Sequence, residues 1–298
     1  MKKKVLVVST SGGSAEILTA YIKKNVSQFN FICLVNEPAR TVFTRKGLKK
    51  IIYSDVKKIK SLLDKKKIEM VLTGTSRNDP LDLEYINYAK EKKIKSVVFL
   101  EHWVNYRERF GYPQKNWREK LPNEIWVGDK YAFKMAKKLF SGLTVKLVPN
   151  PYFTEVKEEY KIAKKNYKKE DNILIIGQPF AEGEEYKVFN DFLNFFASKG
   201  FKDKIILRLH PSEDRNKYNS IISSCSNRLS IKISRNKNLV KDLIQSSCVL
   251  GINSMALYVS ALCGKKVVSL VLKNKDHFRL PFNNINKIFK VEDISKFI

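Results

Sequence analysis

Leu207-Arg-Leu-His-Pro211 and, further on, Val249-Leu-Gly-Ile-Asn-Ser-Met-Ala-Leu257, running to Ala261-Leu-Cys-Gly-Lys-Lys-Val-Val268, decide how this chain is read. Each is an apolar run of strand length ending in polar residues, and the second passes straight into a helical pattern. Strand ends and helix starts of an α/β sheet are where phosphate-bearing ligands settle, because free N–H groups and the helix dipole point there. The two stretches therefore place a nucleotide-type site in the C-terminal half.

Outward from that pair, strands and helices alternate along the whole chain, which argues for parallel sheets covered by helices on both faces. The expected class is α/β, with two Rossmann-like domains facing a cleft. Residues 1–151 form the first and 172–298 the second. The lysine- and glutamate-rich segment 152–171 is the expected linker, partly helical. In the first half Val5–Val8 is a strand, Ala15–Val26 a helix, Ile51–Tyr53 a short strand and Leu81–Lys92 a helix. In the second, Ile173–Ile176 is a strand and Arg215–Cys225 a helix.

Composition bounds the function classes. With 43% apolar residues and 11% aromatics in 298 residues, the chain is globular and large enough for two cores. No apolar run reaches membrane-spanning length, and the four apolar residues after Met1-Lys-Lys-Lys4 are too few for a signal-peptide core. The reading is a cytoplasmic protein. The four cysteines lack metal-type spacing, so a reducing compartment fits. A net charge of +27 attracts polyanions. The charge is dispersed and lysine-dominated, with no arginine-rich arm, zinc finger or RNA-binding aromatic strand, so nucleic acid is not the expected partner. A lysine-biased composition without binding meaning and peripheral contact with an anionic membrane both fit.

Several motifs carry chemistry. Pro211 cannot extend a ladder, so the strand before it stops with the His210 imidazole at its carboxyl end. There the ring can meet a phosphate or ribose, or simply face solvent in a turn. Asn253 and Ser254 precede the helix starting near Met255; they can cap it, hold an anion, or both. Gly177-Gln178-Pro179 follows a strand and offers backbone N–H groups, although an ordinary turn reads the same. Thr10-Ser-Gly-Gly-Ser14 follows the first strand but is neither a Walker loop nor a full dinucleotide fingerprint. Glu101-His102-Trp103 ends an apolar strand and opens a loop, through Asn105 and Arg107, unusually dense in aromatic and charged residues. Glu101 or His102 is the candidate general base. The competing account pairs Glu101 with Arg107 or Arg109 and places Trp103 in the core. Asp79, Asp82 and Glu84 lie in a first helical turn, where the dipole accounts for them.

His210-Pro211 together with Asn253-Ser254-Met-Ala-Leu-Tyr-Val-Ser-Ala-Leu-Cys-Gly-Lys265 resembles the donor site of GT-B fold glycosyltransferases. The likeness is to bacterial sialyl-, polysialyl- and Kdo-transferases and the related glycerophosphotransferases. It implies a metal-independent enzyme with no cofactor. His210, Pro211, Asn253, Ser254, Met255, Gly177 and Gln178 would hold the nucleotide, and Glu101 or His102 would be catalytic. Ser11, Gly12, Gly13, Ser14, Thr75, Trp103, Asn105 and Arg107 would line the acceptor side. Partners implied are a nucleotide-sugar donor and a glycan or lipid-linked acceptor in surface-polysaccharide synthesis.

The motif also departs from the family. The usual serine pair is Asn253-Ser254, and Val259 stands where many such enzymes carry a ribose-binding glutamate, which favours a CMP-linked donor. Rivals on the same fold are a nucleotide-sugar 2-epimerase, whose Ser-Gly-Gly and glutamate arrangement is missing here, and a glycerophosphotransferase. The non-enzymatic rival is a basic nucleic-acid-binding protein.

Overall fold

The computed structural model describes residues 2–53, 55–76, 79–167, 171–178, 183–210, 213–236, 238–272, 280 and 284–298. Pro179, Pro211 and His277 lie outside the described residues. The chain divides into two compact units, Met1–Glu155 and Val156–Ile298.

Unit 1 is built on six strands: β1 (Lys3–Ser9), β2 (Phe29–Val35), β3 (Met70–Thr73), β4 (Lys95–Leu100), β5 (Glu124–Val127) and β6 (Thr144–Leu147). They lie in the order β2-β1-β3-β4-β5-β6, all parallel. Helices α1 (Gly12–Asn25), α2 (Ala39–Arg45), α3 (Val56–Asp64), α4 (Leu81–Glu91) and α5 (Lys130–Leu139) accompany them. Both faces are covered, which is why β1 reads as a continuous apolar run. Val5 and Val7 cluster with Ile17, Leu18 and Ile22 of α1. Their neighbours Leu6 and Val8 cluster instead with Ile59 and Leu63 of α3 and Tyr85 of α4.

Three local expectations change. The strand expected at Ile51–Tyr53 is a single parallel bridge from Ile52 to Cys33, after a 3-10 turn over Lys49–Ile51. The 3-10 turn takes up Ile51, so only Ile52 pairs with β2, beside the Tyr53 N–H to Cys33 carbonyl bond of 2.8 Å. The first helix begins at Gly12 rather than Ala15, because Ser11 caps it by accepting from the Ser14 N–H. Helix α2 was not foreseen; it buries Phe43 completely.

Helix α6 (Pro151–Lys165) carries the chain onward, and the division between units falls inside it. Proline suits its first position, and Asn150 Oδ1 accepts from the Tyr152 N–H at 3.0 Å.

Unit 2 also has six parallel strands: β7 (Asn172–Ile176), β8 (Ile205–Arg208), β9 (Ile231–Ile233), β10 (Ser246–Gly251), β11 (Lys266–Leu270) and β12 (Asn286–Ile288). Their order is β12-β11-β10-β7-β8-β9. Helices α7 (Glu184–Ser198), α8 (Asn219–Cys225), α9 (Leu239–Ile244) and α10 (Met255–Leu262) join them. Phe189, Phe192 and Phe196 of α7 bury against Ile173, Ile175, Ile205 and Leu207. The helix expected over Arg215–Cys225 starts as a 3-10 turn, Arg215–Tyr218, because Asp214 accepts from the Asn216 N–H and tightens the first turn. β12 went unforeseen, being three residues with one buried apolar side chain, Ile288.

In each sheet the first strand is flanked by the second on one side and by a later strand on the other. The order therefore reverses between β1 and β3 in unit 1, and between β7 and β10 in unit 2. Such reversals open a crevice beyond the carboxyl ends, where ligands bind in open α/β sheets.

Candidate functional site

In unit 2 the reversal gathers the residues singled out from sequence. β10, β7 and β8 are hydrogen-bonded neighbours in parallel, so their carboxyl ends share one edge. Ser254, Gln178 and His210 follow them in turn. Strands lie about 4.8 Å apart, so β8 and β10 are about 10 Å apart with β7 between them. Gln178 Oε1 accepts from the Asn253 N–H at 2.9 Å and ties the two loops together. Ser254 caps α10, accepting from the Ala256 N–H at 3.2 Å. The N–H groups of Ser254 and Met255 have no partner among the described residues, as the first turn of a helix leaves them.

His210 is held by a tight turn: Glu213 Oε2 accepts from its N–H at 2.8 Å, and the Glu213 N–H donates to its carbonyl at 2.9 Å. Although His210 reaches solvent, surrounding protein atoms lower its pKa, with Glu213 opposing the shift. Glu213 also accepts from the Tyr218 hydroxyl at 2.7 Å and pairs with Lys217, which reaches Glu185 as well. A Cβ on Gly177 would lie 2.7 Å from Glu213 Oε2 and 3.2 Å from the Arg208 carbonyl, so only glycine fits there unstrained. Beside it a small crevice opens, lined by Gln178, Glu185, Phe189, Tyr218 and Ile252.

In unit 1 the reversal holds ionisable groups instead. Glu101 follows β4 and forms an ion pair with Arg109 at 3.3 Å, both side chains being largely buried. Arg109 also donates to Thr75 Oγ1, after β3, at 2.6 Å and to the Thr75 carbonyl at 3.3 Å. Ser11 Oγ lies 3.4 Å from Glu101 Oε2, and Ser14 Oγ lies 2.8 Å from Ser11 Oγ. A Cβ on Gly13 would come within 2.8 Å of Glu101 Oε2; glycine lets the carboxylate sit on the amino end of α1, where the helix dipole favours it. Gly12 opens the same turn.

Behind them stands Asp82, 1% exposed, in the first turn of α4. Its Oδ2 accepts from Thr10 Oγ1 at 2.9 Å, and its Oδ1 has no partner among the described residues. Burial pushes this carboxyl up to about 7; Glu101 and Asp79 add to the rise, while the Thr10 bond and Arg109 oppose it.

The remaining sequence candidates make contacts of their own. Trp103 is buried, its Nε1 donating to Asp129 Oδ2 at 2.8 Å, and Asp129 in turn caps α5. The His102 ring meets Trp103 edge-on at 6.2 Å between centroids. Arg107 stacks over Tyr112 at 4.2 Å, and Asn105 takes a left-handed turn at φ 56°. Arg109 is the partner of Glu101 and Trp103 lies in the core, which are both halves of the account that competes with a catalytic Glu101.

Nothing in the sequence pattern marks Asp82 or Glu213 as a site residue, whereas Thr10 heads the glycine-containing loop and Arg109 is one of the two arginines within reach of Glu101. Asp82 looked like an ordinary dipole-compensating acid, and the helix dipole explains its position but not its burial. Among the described residues no group of three His, Cys, Asp or Glu side chains is placed to hold a metal ion. Nor is any described helix long and apolar enough to cross a membrane.

No protein-family model matches the chain, and no curated protein matches it significantly. Solved structures do. The UDP-GlcNAc 2-epimerase of Methanocaldococcus jannaschii superposes with a TM-score of 0.64 at 13% identity, covering 98% of each chain. That of Neisseria meningitidis, solved with UDP-GlcNAc, gives 0.66 at 15% identity over 99% of this chain and 90% of the other. A glycosyltransferase from Rickettsia africae gives 0.61 at 11%, over 99% and 86%. The likeness establishes the fold: two Rossmann-like units of the GT-B type.

Proposed function

We propose that the protein acts on a nucleotide-activated sugar, with unit 2 binding the nucleotide and unit 1 supplying acid–base chemistry. The observation that carries this reading is the convergence of Gln178, His210 and Ser254 on three adjacent parallel strands at an order reversal. Helix N–H groups at Ser254 and Met255 suit a phosphate there, and a low-pKa His210 donates a hydrogen bond to an oxygen while adding no fixed charge. As the leaving nucleotide gains negative charge, donors already in place stabilise it without reorganising. In unit 1, Glu101 is the base, oriented by Arg109 and Ser11.

The reaction is glycosyl transfer, with Glu101 taking the acceptor hydroxyl's proton. A second reading, 2-epimerisation of the sugar, is favoured by the two carboxyls at the unit 1 reversal. Chemistry at a sugar carbon needs both a proton acceptor and a proton donor, and Asp82 is a carboxyl that holds its proton near neutrality. The several epimerases among similar structures point the same way. The nucleobase is a pyrimidine in this proposal. Val259 in place of an acidic residue favours CMP, whereas the Neisseria relative was solved with a UDP-sugar.

Thermal-shift titration with CMP, UDP and GDP tests the binding half. A nucleotide at 100 times its Kd should add about 2.7 kcal/mol. No shift with any of the three would sink the proposal. Product analysis on the stabilising nucleotide's sugar then separates the reactions: a 2-epimeric sugar, still nucleotide-linked or released from the nucleotide by water, or a sugar joined to an added acceptor with the nucleotide set free.

A further inference from the structure

Because every strand of unit 1 is parallel, each turn that leads into a strand lies on the same edge of the sheet, opposite the edge that carries Glu101 and Asp82. Those turns are where the lysines collect. Lys2–Lys4 open β1, and Lys23 and Lys24 end α1 before β2. Lys65–Lys67 precede β3, and Lys92, Lys93 and Lys95 lead into β4. Lys2 Nζ donates to the Val26 carbonyl at 2.8 Å, which joins the first two groups directly.

Acidic residues on this edge are few. Glu69, Asp64 and Glu124 pair with Lys3, Lys92 and Lys95, Glu155 of α6 pairs with Lys23, and Glu91 ends α4 beside Lys92. Lys4, Lys24, Lys65, Lys66, Lys67 and Lys93 have no carboxylate in ion-pair range among the described residues, and all but the half-buried Lys4 are exposed. Lys66 and Lys93 also occupy left-handed turns, at φ 49° and 57°, where glycine or asparagine would relieve strain. The opposite edge carries no such excess: Glu37, Asp79, Asp82, Glu101, Glu108 and Asp129 stand there with Arg40, Arg107, Arg109 and Lys130.

We infer that this lysine-lined edge of unit 1 docks on an anionic lipid bilayer. Four adjacent strands, β2-β1-β3-β4, make a strip about 15 Å long, wider than the ~10 Å over which 0.1 M salt screens a charge. Lysine suits a fluid layer of headgroups, since it is a point charge on a flexible stem with no fixed fork to orient. The exposed residues of these turns include no aromatic platform for stacking bases, whereas Val26, 52% exposed, is apolar and suits an interface. Docking by this edge leaves the carboxyl ends of the unit 1 strands open to substrate.

The test is sedimentation of the full-length protein with phosphatidylcholine vesicles containing none, 20% or 40% phosphatidylglycerol in ~0.1 M salt. Each lysine near such a surface strengthens binding about fivefold. The variant Lys65→Gln, Lys66→Asn, Lys67→Gln, Lys93→Asn should therefore bind at least tenfold more weakly. Its asparagines relieve the strained turns, so it retains the wild-type Tm. A control that removes as much charge from exposed helix positions, Lys134→Gln, Lys138→Gln, Lys161→Gln, Lys164→Gln, should stay within about threefold. Equal losses in the two variants would mean that net charge alone attracts the bilayer, and the inference fails. It fails too if wild type ignores phosphatidylglycerol, or if duplex DNA displaces vesicles and loses affinity in the edge variant alone.

Discussion

At the order reversal of unit 1, three buried ionisable side chains, Asp82, Glu101 and Arg109, sit among hydroxyls from Thr10, Ser11 and Thr75. At the corresponding place in unit 2 stand the Gln178 amide, the Ser254 hydroxyl, helix N–H groups and a histidine held toward its uncharged form, and the buried carboxylates beside them, Glu185 and Glu213, are both paired with Lys217. Each unit sets a glycine, Gly13 or Gly177, against a carboxylate. In unit 1 that carboxylate, Glu101, borders the reversal. In unit 2 it is Glu213, spent on holding the His210 turn, Tyr218 and Lys217. One sheet topology thus supports two kinds of polar cluster, and the proposed function assigns proton transfer to the first and nucleotide binding to the second.

Glu101→Gln tests that division most severely. It removes the proposed base while keeping shape, so kcat should fall about 10²–10⁴-fold with nucleotide affinity unchanged. A matching rise in Kd, measured by calorimetry, would break the division by placing Glu101 in binding.

Asp82→Asn comes next. A carboxyl whose pKa rises on folding stabilises the fold while protonated. That contribution is complete below about 4 and is lost as pH climbs through about 7. Three pKa units correspond to about 4 kcal/mol at most. Asparagine cannot ionise, so urea melts at pH 5 and 8 should show the variant gaining a few kcal/mol on wild type at the higher pH. Parallel pH curves for the two proteins would mean that Asp82 titrates normally.

Gly177→Ala should cost about 1–3 kcal/mol, since the new methyl meets Glu213 and the Arg208 backbone together. The smallest effect is expected at Ser254→Ala, with about 1 kcal/mol of stability lost with the cap and weaker nucleotide binding besides. If stability falls but binding does not, measured by thermal shift with and without nucleotide, Ser254 is a cap alone.

Much of the unit 2 site was legible because its markers are local. His210 before Pro211, and Asn253-Ser254 between a strand and a helix, announce strand ends whatever surrounds them. Glu101 could be read for the same reason, at the end of Val97-Val-Phe-Leu100. The unit 1 cluster was legible only in part, since its bonds join residues far apart in sequence: Thr10 with Asp82, Thr75 with Arg109. Asp82 in particular shares the pattern of Glu84, a first-turn acid, yet one is buried and the other exposed. Short elements misled for a different reason. Three apolar residues read as a strand at Ile51–Tyr53, where only Ile52 bridges, while the strand Asn286–Ile288 is too brief for periodicity to register and exists because β11 offers its edge.

The amino-acid sequence by itself determined two parallel α/β units and the polar loops ending their strands, because alternation of apolar runs and turn residues is set residue by residue. Only the tertiary structure decided which acid would be buried, which arginine would face Glu101, and that the lysines would collect on one edge. Desolvation and ion pairing depend on what other segments bring, and parallel pairing alone sets dispersed turns side by side.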